Sequence, residues 1–555
     1  MLPYRIKTKI TITLKISLFG DLVTKLMSLS GGRYRPLSIA TFAIEYELFG
    51  LKPHISHFIN VLLFAFTGIL IYIILAKISF PEEKTLQKKW YFSIAFLTTL
   101  FYLFHPIHTE AVANIKGRDE IMVFIGALLA LLFSLKYLES SKKKFLLFSF
   151  IAFFLALLSK ENAITFLAVI PLFIYFFTSH NLKKSAICLT PLLLSTTIFL
   201  VLRYLIVGGF ATEAADNIMH NPFLEATSSE KYATIFYTLG LYIKLMFFPH
   251  PLTSDYYPYN IPLMNWSDWQ VIVSILILLA LGVLFLKGFR KKRVVAFGIA
   301  FYFITLSPAS NLLFTVGTFM NERFVYISSL GFAFIIVYFL VRKLINYRRV
   351  LISVFAAILI LFSIKTISRN AVWKNNLTLF TADAETSHKS PFSSTQLGDA
   401  LLAKARETQN SGERKKLTIK AIEHLKNATD INPEHALSHL TVAHYENGDY
   451  DKTIELYRNL IKIEAKHFDA HFNLGTIYGK HKNKADSAVF YLEKAREINP
   501  QNIHVYFYLG VFYSMTREFE KSAQMFETTA KYDPNYPDVQ KNLNIIKKKL
   551  EKLSK

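Results

Sequence analysis

The chain has 555 residues, of which 52% are hydrophobic and only 19% charged, against about 25% charged in an average soluble domain. Its mean hydropathy of +0.31 excludes a disordered chain and a wholly soluble one. The formal charge of +23 is unevenly placed, because residues 371–555 hold 27 Lys/Arg against 23 Asp/Glu, leaving +19 on the first 370. Basic charge beside long apolar runs is the pattern of cytoplasmic membrane loops, not of a nucleic-acid binder. The lone Cys188 excludes disulfides within the chain and thiolate metal clusters.

Residues 1–56 are basic at their start, alternate like a strand from Ile10 to Ile16, and contain neither a spanning run nor a signal-peptide pattern. From 57 to 370 follow apolar segments, and crossing a bilayer takes roughly 20 residues each. The clearest are His57–Ile78, Ile121–Leu138, Ser185–Val207, Trp269–Lys287, Phe324–Val341 and Val350–Ile367. Shorter candidates are Trp90–Phe104, Phe145–Leu158, Ala163–Phe177 and Val294–Ser307. Lysine and arginine clusters recur in alternate loops, at Lys84–Lys89, Lys136–Lys144, Lys183–Lys184, Lys287–Arg293 and Arg342–Arg349, which assigns those loops to the cytoplasm. The Lys/Arg-poor loops 105–120, 208–230, 249–268 and 308–323 then face the other side. Residues 231–248 break the alternation and read as re-entrant or as an in-plane interfacial helix containing Lys244. About ten crossings put both the start and the C-terminal part outside the cytoplasm. A basic start with nothing to translocate it leads us to expect that the true start lies upstream; the alternative is that this piece rests on the cytoplasmic face.

After residue 371 the pattern changes to amphipathic, charge-mixed helices. Leu474-Gly475 with Tyr478 recurs as Leu509-Gly510 with Tyr513, followed by Ala488, Leu492, Ala495, Pro500 and by Ser522, Phe526, Thr529, Pro534. Small residues let two antiparallel helices approach, aromatics fill the gap and proline ends the second helix, as in tetratricopeptide repeats. An earlier unit contains Gly448, Tyr450 and Tyr457, and a degenerate one runs from Leu397-Gly398 to Asn432-Pro433. The fold class expected is therefore all-α: a polytopic membrane bundle followed by a tetratricopeptide α-solenoid over 371–555. Tyr478, Tyr513, His471, Asn473 and Phe507 are candidate contacts for an extended protein segment, although Leu-Gly-x-x-Tyr is itself a packing signature.

Polar groups beside spanning helices are costly unless they line a site. One loop supplies His105, His108, Glu110, Arg118, Asp119 and Glu120; others supply Lys160 with Glu161, Glu322 with Arg323, and Arg33 with Arg35. All fall on the same expected face. Such a set suits group transfer from a lipid phosphate, with cations holding the leaving phosphate and Glu110, Asp119 or Glu120 as the base toward an acceptor hydroxyl. The plainer readings are cations reaching for head groups and a local Lys160–Glu161 pair. His105, His108 and Glu110 are metal ligands by type, yet His-Pro-x-His in a loop specifies no metal, so neither a metal site nor a resident cofactor is expected.

Tyr34-Arg-Pro-Leu-Ser, His105-Pro-Ile-His-Thr-Glu with Gly117-Arg118, Ser159-Lys-Glu-Asn, Pro308-Ala-Ser-Asn-Leu and Glu322-Arg-Phe-Val-Tyr together resemble one family. It is the transmembrane and tetratricopeptide-repeat-containing protein O-mannosyltransferases, C-type enzymes that use polyprenyl-phosphate mannose. The resemblance runs from about Tyr34 to the end. It implies a lipid-phosphate sugar donor, inverting transfer to Ser or Thr of exported proteins, and repeats that present acceptors on the same non-cytoplasmic face. By position it implies that Glu110, Arg118 and Glu120 belong to the family's polar second loop, and that Arg35, Lys160, Glu161, Glu322 and Arg323 belong to its other motifs. It also implies a first spanning helix and an Asp-Asp loop that have no counterpart here; Phe19-Gly-Asp21 looks like the segment just downstream. The alternative function is an inactive membrane scaffold whose repeats bind partners. The Lys/Ile/Phe/Asn-rich composition points to a bacterial inner membrane with the repeats in the periplasm.

Overall fold

The structure is a computed structural model, and it describes residues 34–78, 80, 90–179, 182–207, 218–219, 221–256, 259–344 and 346–553. The strand-like start, Arg33, Asp21 and the Lys84–Lys89 loop lie outside the described residues. The chain divides into two compact units, one up to Ala382 and one from Asp383.

The first unit contains α1 (Pro36–Phe49), α2 (Pro53–Leu75), α3 (Ile94–Phe104), α4 (Arg118–Ser140), α5 (Lys144–Ser159), α6 (Phe166–Phe177), α7 (Leu182–Val207), α8 (Ser228–Phe247), α9 (Trp269–Phe289), α10 (Val294–Leu306), α11 (Ser329–Leu344) and α12 (Arg348–Val372). Every apolar run read from the sequence overlaps one of these helices. By length and composition, five stretches are long and apolar enough to cross a bilayer, those around α2, α4, α7, α9 and α12. The others are shorter because capped turns interrupt them. Ser93 caps α3, accepting from the Phe96 amide at 3.1 Å, and α3 stops at His105-Pro106, where proline forces the chain out of the helix. Between α5 and α6 the chain breaks at Lys160 and re-forms as a tight 3₁₀ turn over Glu161–Thr165.

The apolar pattern explains what packs and what does not. α4 lies against α5 because Gly126 has no side chain: a Cβ there would stand 2.8 Å from both the Ala152 carbonyl and the Ala156 methyl. Close approach over small residues is how helices associate where water supplies no hydrophobic drive. Gly126→Val is expected to cost about 1–3 kcal/mol by overpacking, read as a lower unfolding midpoint of the detergent-solubilised protein. Elsewhere large apolar side chains face outward. Leu276, Leu279 and Leu286 on α9 and Ile360, Leu361 and Ile364 on α12 are all more than half exposed. Such a surface is untenable in water and ordinary in lipid, so this unit is embedded in a membrane. Segment 231–248 is one continuous helix, α8, opened by a Thr227–Glu230 capping box.

The second unit is built of helical hairpins: α13 (Pro391–Glu407) with α14 (Ser411–Ile431), α15 (Pro433–Asn447) with α16 (Tyr450–Ile463), α17 (Phe468–Lys480) with α18 (Ala485–Ile498), and α19 (Ile503–Met515) with α20 (Phe519–Tyr532), followed by α21 (Val539–Leu553). Ala488, Leu492 and Ala495 are buried on α18, as are Ser522, Phe526 and Thr529 on α20. Tyr478, Tyr513 and His471 are buried too, so these three are mainly packing residues, while Phe507 packs partly buried against Phe526 and Tyr536.

Candidate functional site

Three polar loops of the first unit converge because buried charges pin them, and in two of them local caps do so as well. Asn114 Oδ1 accepts from the Lys116 amide at 3.1 Å and Asn321 Oδ1 from the Arg323 amide at 3.3 Å, turning the chain sharply just before a cation. Gly117 is obligatory in this turn, since a Cβ would lie 2.2 Å from the Ala111 carbonyl oxygen.

A cavity of about 950 Å³ opens where these loops meet. Its polar lining is Arg35, Lys116, Lys160, Arg203 and Arg323, together with Asp119 and Glu161. Its apolar lining is Phe199 and Leu200 from α7, the helix that also carries Arg203, with Phe303 and Ile304 from α10 and Leu313 and Phe314 from the following loop. Leu313 is 72% exposed and Phe314 58%, so this loop has an apolar tip.

Among the described residues, five ion pairs fix the charges of these loops. Arg35, ahead of α1, is held by Asp119 at 2.6 Å and by both oxygens of Glu161 at 2.9 and 3.1 Å. The adjacent Lys160 and Glu161 therefore do not pair with each other: Lys160 bonds Glu120. Glu110 receives the Arg323 guanidinium at 2.5 Å and the Arg323 amide at 2.9 Å. Arg118, 1% exposed, bonds Glu45 at 2.6 Å and Asn60 at 3.0 Å, and stacks 4.1 Å from the Phe42 ring centroid.

The sequence-derived candidates thus separate by position. Arg35, Asp119, Lys160, Glu161 and Arg323 border the cavity. Glu110 and Glu120 are buried beside it, each fixing a cation that lines it. Asp119 and Glu120 diverge because consecutive helical residues project about 100° apart. Arg118, His105, His108 and Glu322 lie away from the lining and join elements. Glu322 accepts from the Thr253 amide at 2.5 Å and the Tyr256 hydroxyl at 3.2 Å. His105 Nδ1 accepts from the Ile107 amide at 3.2 Å, so its Nε2 carries the proton that meets the Met246 carbonyl at 3.0 Å. Burial holds the His105 imidazole down at about 4, so it stays neutral at physiological pH. Ser329 gives its hydroxyl hydrogen to the Tyr326 carbonyl at 2.8 Å and thus accepts from His108 Nε2, also at 2.8 Å. Among the described residues no three His, Cys, Asp or Glu side chains group as a metal site.

Sequence reading passed over Lys116, Arg203 and Glu45. Lys116 lies in the same 105–120 loop as Glu110 and Arg118. Arg203 is a charge inside the apolar run Ser185–Val207, itself a signal. Glu45 is a carboxylate in an apolar helix that ends up 8% exposed.

A lipid-embedded helix bundle with a cationic, half-apolar cavity, continued by tetratricopeptide repeats, is the class of protein this architecture defines. Family models described as "TPR repeat" and "Tetratricopeptide repeat" match residues 443–482 and 481–543. The chain is similar to proteins named protein O-mannosyl-transferase along most of its length. It is 22% identical to mouse Protein O-mannosyl-transferase TMTC3, over 92% of this chain and 58% of that protein. It is 27% identical to human Protein O-mannosyl-transferase TMTC1, over 64% and 44%. Against Protein O-mannosyl-transferase F38B6.6 of Caenorhabditis elegans it is 30% identical, over 63% and 48%. The chain thus spans about half the length of the curated relatives it matches. Among solved structures, MamA is 18% identical over 28% of this chain and 86% of its own, with a TM-score of 0.25.

Proposed function

We propose that the membrane unit is a glycosyltransferase that moves a sugar, mannose by the names of its relatives, from a polyprenyl-phosphate donor to Ser or Thr of proteins presented by the repeats. The observation that carries this reading is a single cavity joining five cations to an apolar wall. Phosphate belongs among the cations and an isoprenoid chain along the apolar side chains. The acceptor oxygen attacks the anomeric carbon, the bond from that carbon to the phosphate oxygen breaks, and the electron pair leaves on phosphate. Arg323 and Lys160 stabilise that growing charge, and their buried carboxylates hold them ready before the donor arrives. Among the described residues, Asp119 is the one carboxylate of the three considered as base that borders the cavity, and in this reading it takes the acceptor's proton. The distribution of Lys/Arg supports an active face opposite the cytoplasm, and the Lys/Ile/Phe/Asn-rich composition favours the periplasmic face of a bacterial inner membrane.

The test is transfer of labelled mannose from polyprenyl-phosphate mannose to endogenous proteins in membranes containing this protein. Asp119→Asn is expected to lower turnover by about 10²–10⁴-fold with little change in donor KM, whereas Glu120→Gln, acting through Lys160, is expected to lower kcat less than Lys160→Ala does. Absence of turnover with any lipid-linked sugar overturns the reading in favour of a membrane scaffold.

A further inference from the structure

The second unit contains a hollow of about 820 Å³ between α16 and the next hairpin, α17 with α18. Its lining comes mostly from α16, with Tyr478 from α17, Lys482 and Lys484 from the loop that follows, and Tyr491 from α18. Asp451 and Glu455 border it, but both are already neutralised: Lys482 meets Asp451 at 2.5 Å and Lys452 meets Glu455 at 2.8 Å. Arg458, Lys462 and Lys484 remain, with no carboxylate within ion-pair distance among the described residues. Arg458 donates to the Tyr478 hydroxyl at 2.7 Å, which leaves that hydroxyl's hydrogen available to a ligand. The Tyr478 and Tyr491 rings stack within 6° of parallel and form the floor.

The following repeat is an internal control. One period of 35 residues on from Arg458 and Lys462 stand Glu493 and Glu497. Each is paired on its own helix, with Arg496 at 2.6 Å and Lys494 at 2.8 Å, and Tyr513 donates to Glu493 at 2.6 Å. The same framework is thus self-neutralised in one repeat and left cationic in the other. Like charges kept together unpaired are a cost that an anionic ligand removes.

We infer that this hollow is a binding site for an acidic peptide segment of a partner protein, separate from the proposed catalytic site and independent of it. A carboxylate sits between Arg458 and Lys462 and accepts from the Tyr478 hydroxyl, and a second meets Lys484. A concave site with an aromatic floor takes one segment of a few residues; a membrane surface requires a flat or convex basic face.

The experiment uses the full chain in nanodiscs of neutral phosphatidylcholine and a fluorescein-labelled octapeptide of alternating Glu and Ser, followed by anisotropy. Saturable binding is expected that weakens as salt rises. Arg458→Glu and Lys462→Glu, both at exposed positions, should each raise Kd at least tenfold, while Glu497→Lys should leave it within twofold. Unchanged melting of the repeat unit by circular dichroism verifies that the variants fold. Equal affinity across all variants, or no saturable binding, overturns the inference. So does flotation of the protein with phosphatidylserine vesicles that Arg458→Glu abolishes while the peptide does not bind, because the site would then serve a lipid surface.

Discussion

Replacing Arg323 by alanine is expected to lower sugar transfer about 10²- to 10³-fold, the typical cost of removing one donor aimed at developing charge. The loss should fall mainly on kcat, because the leaving phosphate gains its charge only as the bond to the sugar breaks. Lys160→Ala should behave alike. The informative variant is Glu110→Gln. It leaves the guanidinium in place but removes the buried charge that holds it, 2.5 Å away. If Arg323 acts on the transition state, Glu110→Gln reduces kcat less than Arg323→Ala does, and the two losses do not add, since coupled residues share one effect. Additive losses would show that Glu110 acts on the substrate directly and that its role is not positional. The readout is initial rate against donor concentration in membranes with matched protein content.

The second large effect is on stability. Arg118 and Glu45 form an ion pair with side chains only 1% and 8% exposed, and Asn60, Thr41 and the Ser56 carbonyl complete the guanidinium's hydrogen bonds. Removing one member leaves the other charge buried and unpaired, which costs about 3–5 kcal/mol. Glu45→Ala is therefore expected to lower the melting midpoint of the detergent-solubilised protein markedly, followed by fluorescence-detected size exclusion after heating. Replacing both residues by methionine should recover much of the loss, because an apolar pair of similar volume replaces the ion pair at little cost. A double variant no better than Glu45→Ala would show that the surrounding polar groups, and not the unpaired charge, set the penalty.

Helices and repeats were legible because their signals are periodic: apolar runs closed by charge or proline, and small–large–small spacing recurring every 35 residues. The site was legible as a set of loops. Its wiring was not. Lys160 and Glu161 are adjacent and read as a pair, yet they point to Glu120 and to Arg35, because the extended backbone at Lys160 throws successive side chains to opposite sides. Glu322 and Arg323 diverge for another reason, because successive residues of the tight turn Glu322–Val325 project about 120° apart. Which carboxylate reaches the cavity depends on helix phase, and a first turn gives too few residues to set that phase. Glu45 was invisible for a different reason. One of two carboxylates on a short apolar helix, it reads as solvent-facing unless the arginine 73 residues later is known to fold onto it.

That separation has a consequence for how the protein is made. Glu45 emerges from the ribosome long before Arg118, and at about 5–20 residues per second the delay is on the order of 4–15 s. Arg35 waits longer still, since Asp119 and Glu161 lie 84 and 126 residues downstream. During that interval α1 carries an unpaired acid, with an unpaired base just ahead of it. Neither set of ion pairs can form until α4 and the segment behind α5 have been made. The cavity, lined also from α7, α10 and the loop after it, closes only once those later segments have followed.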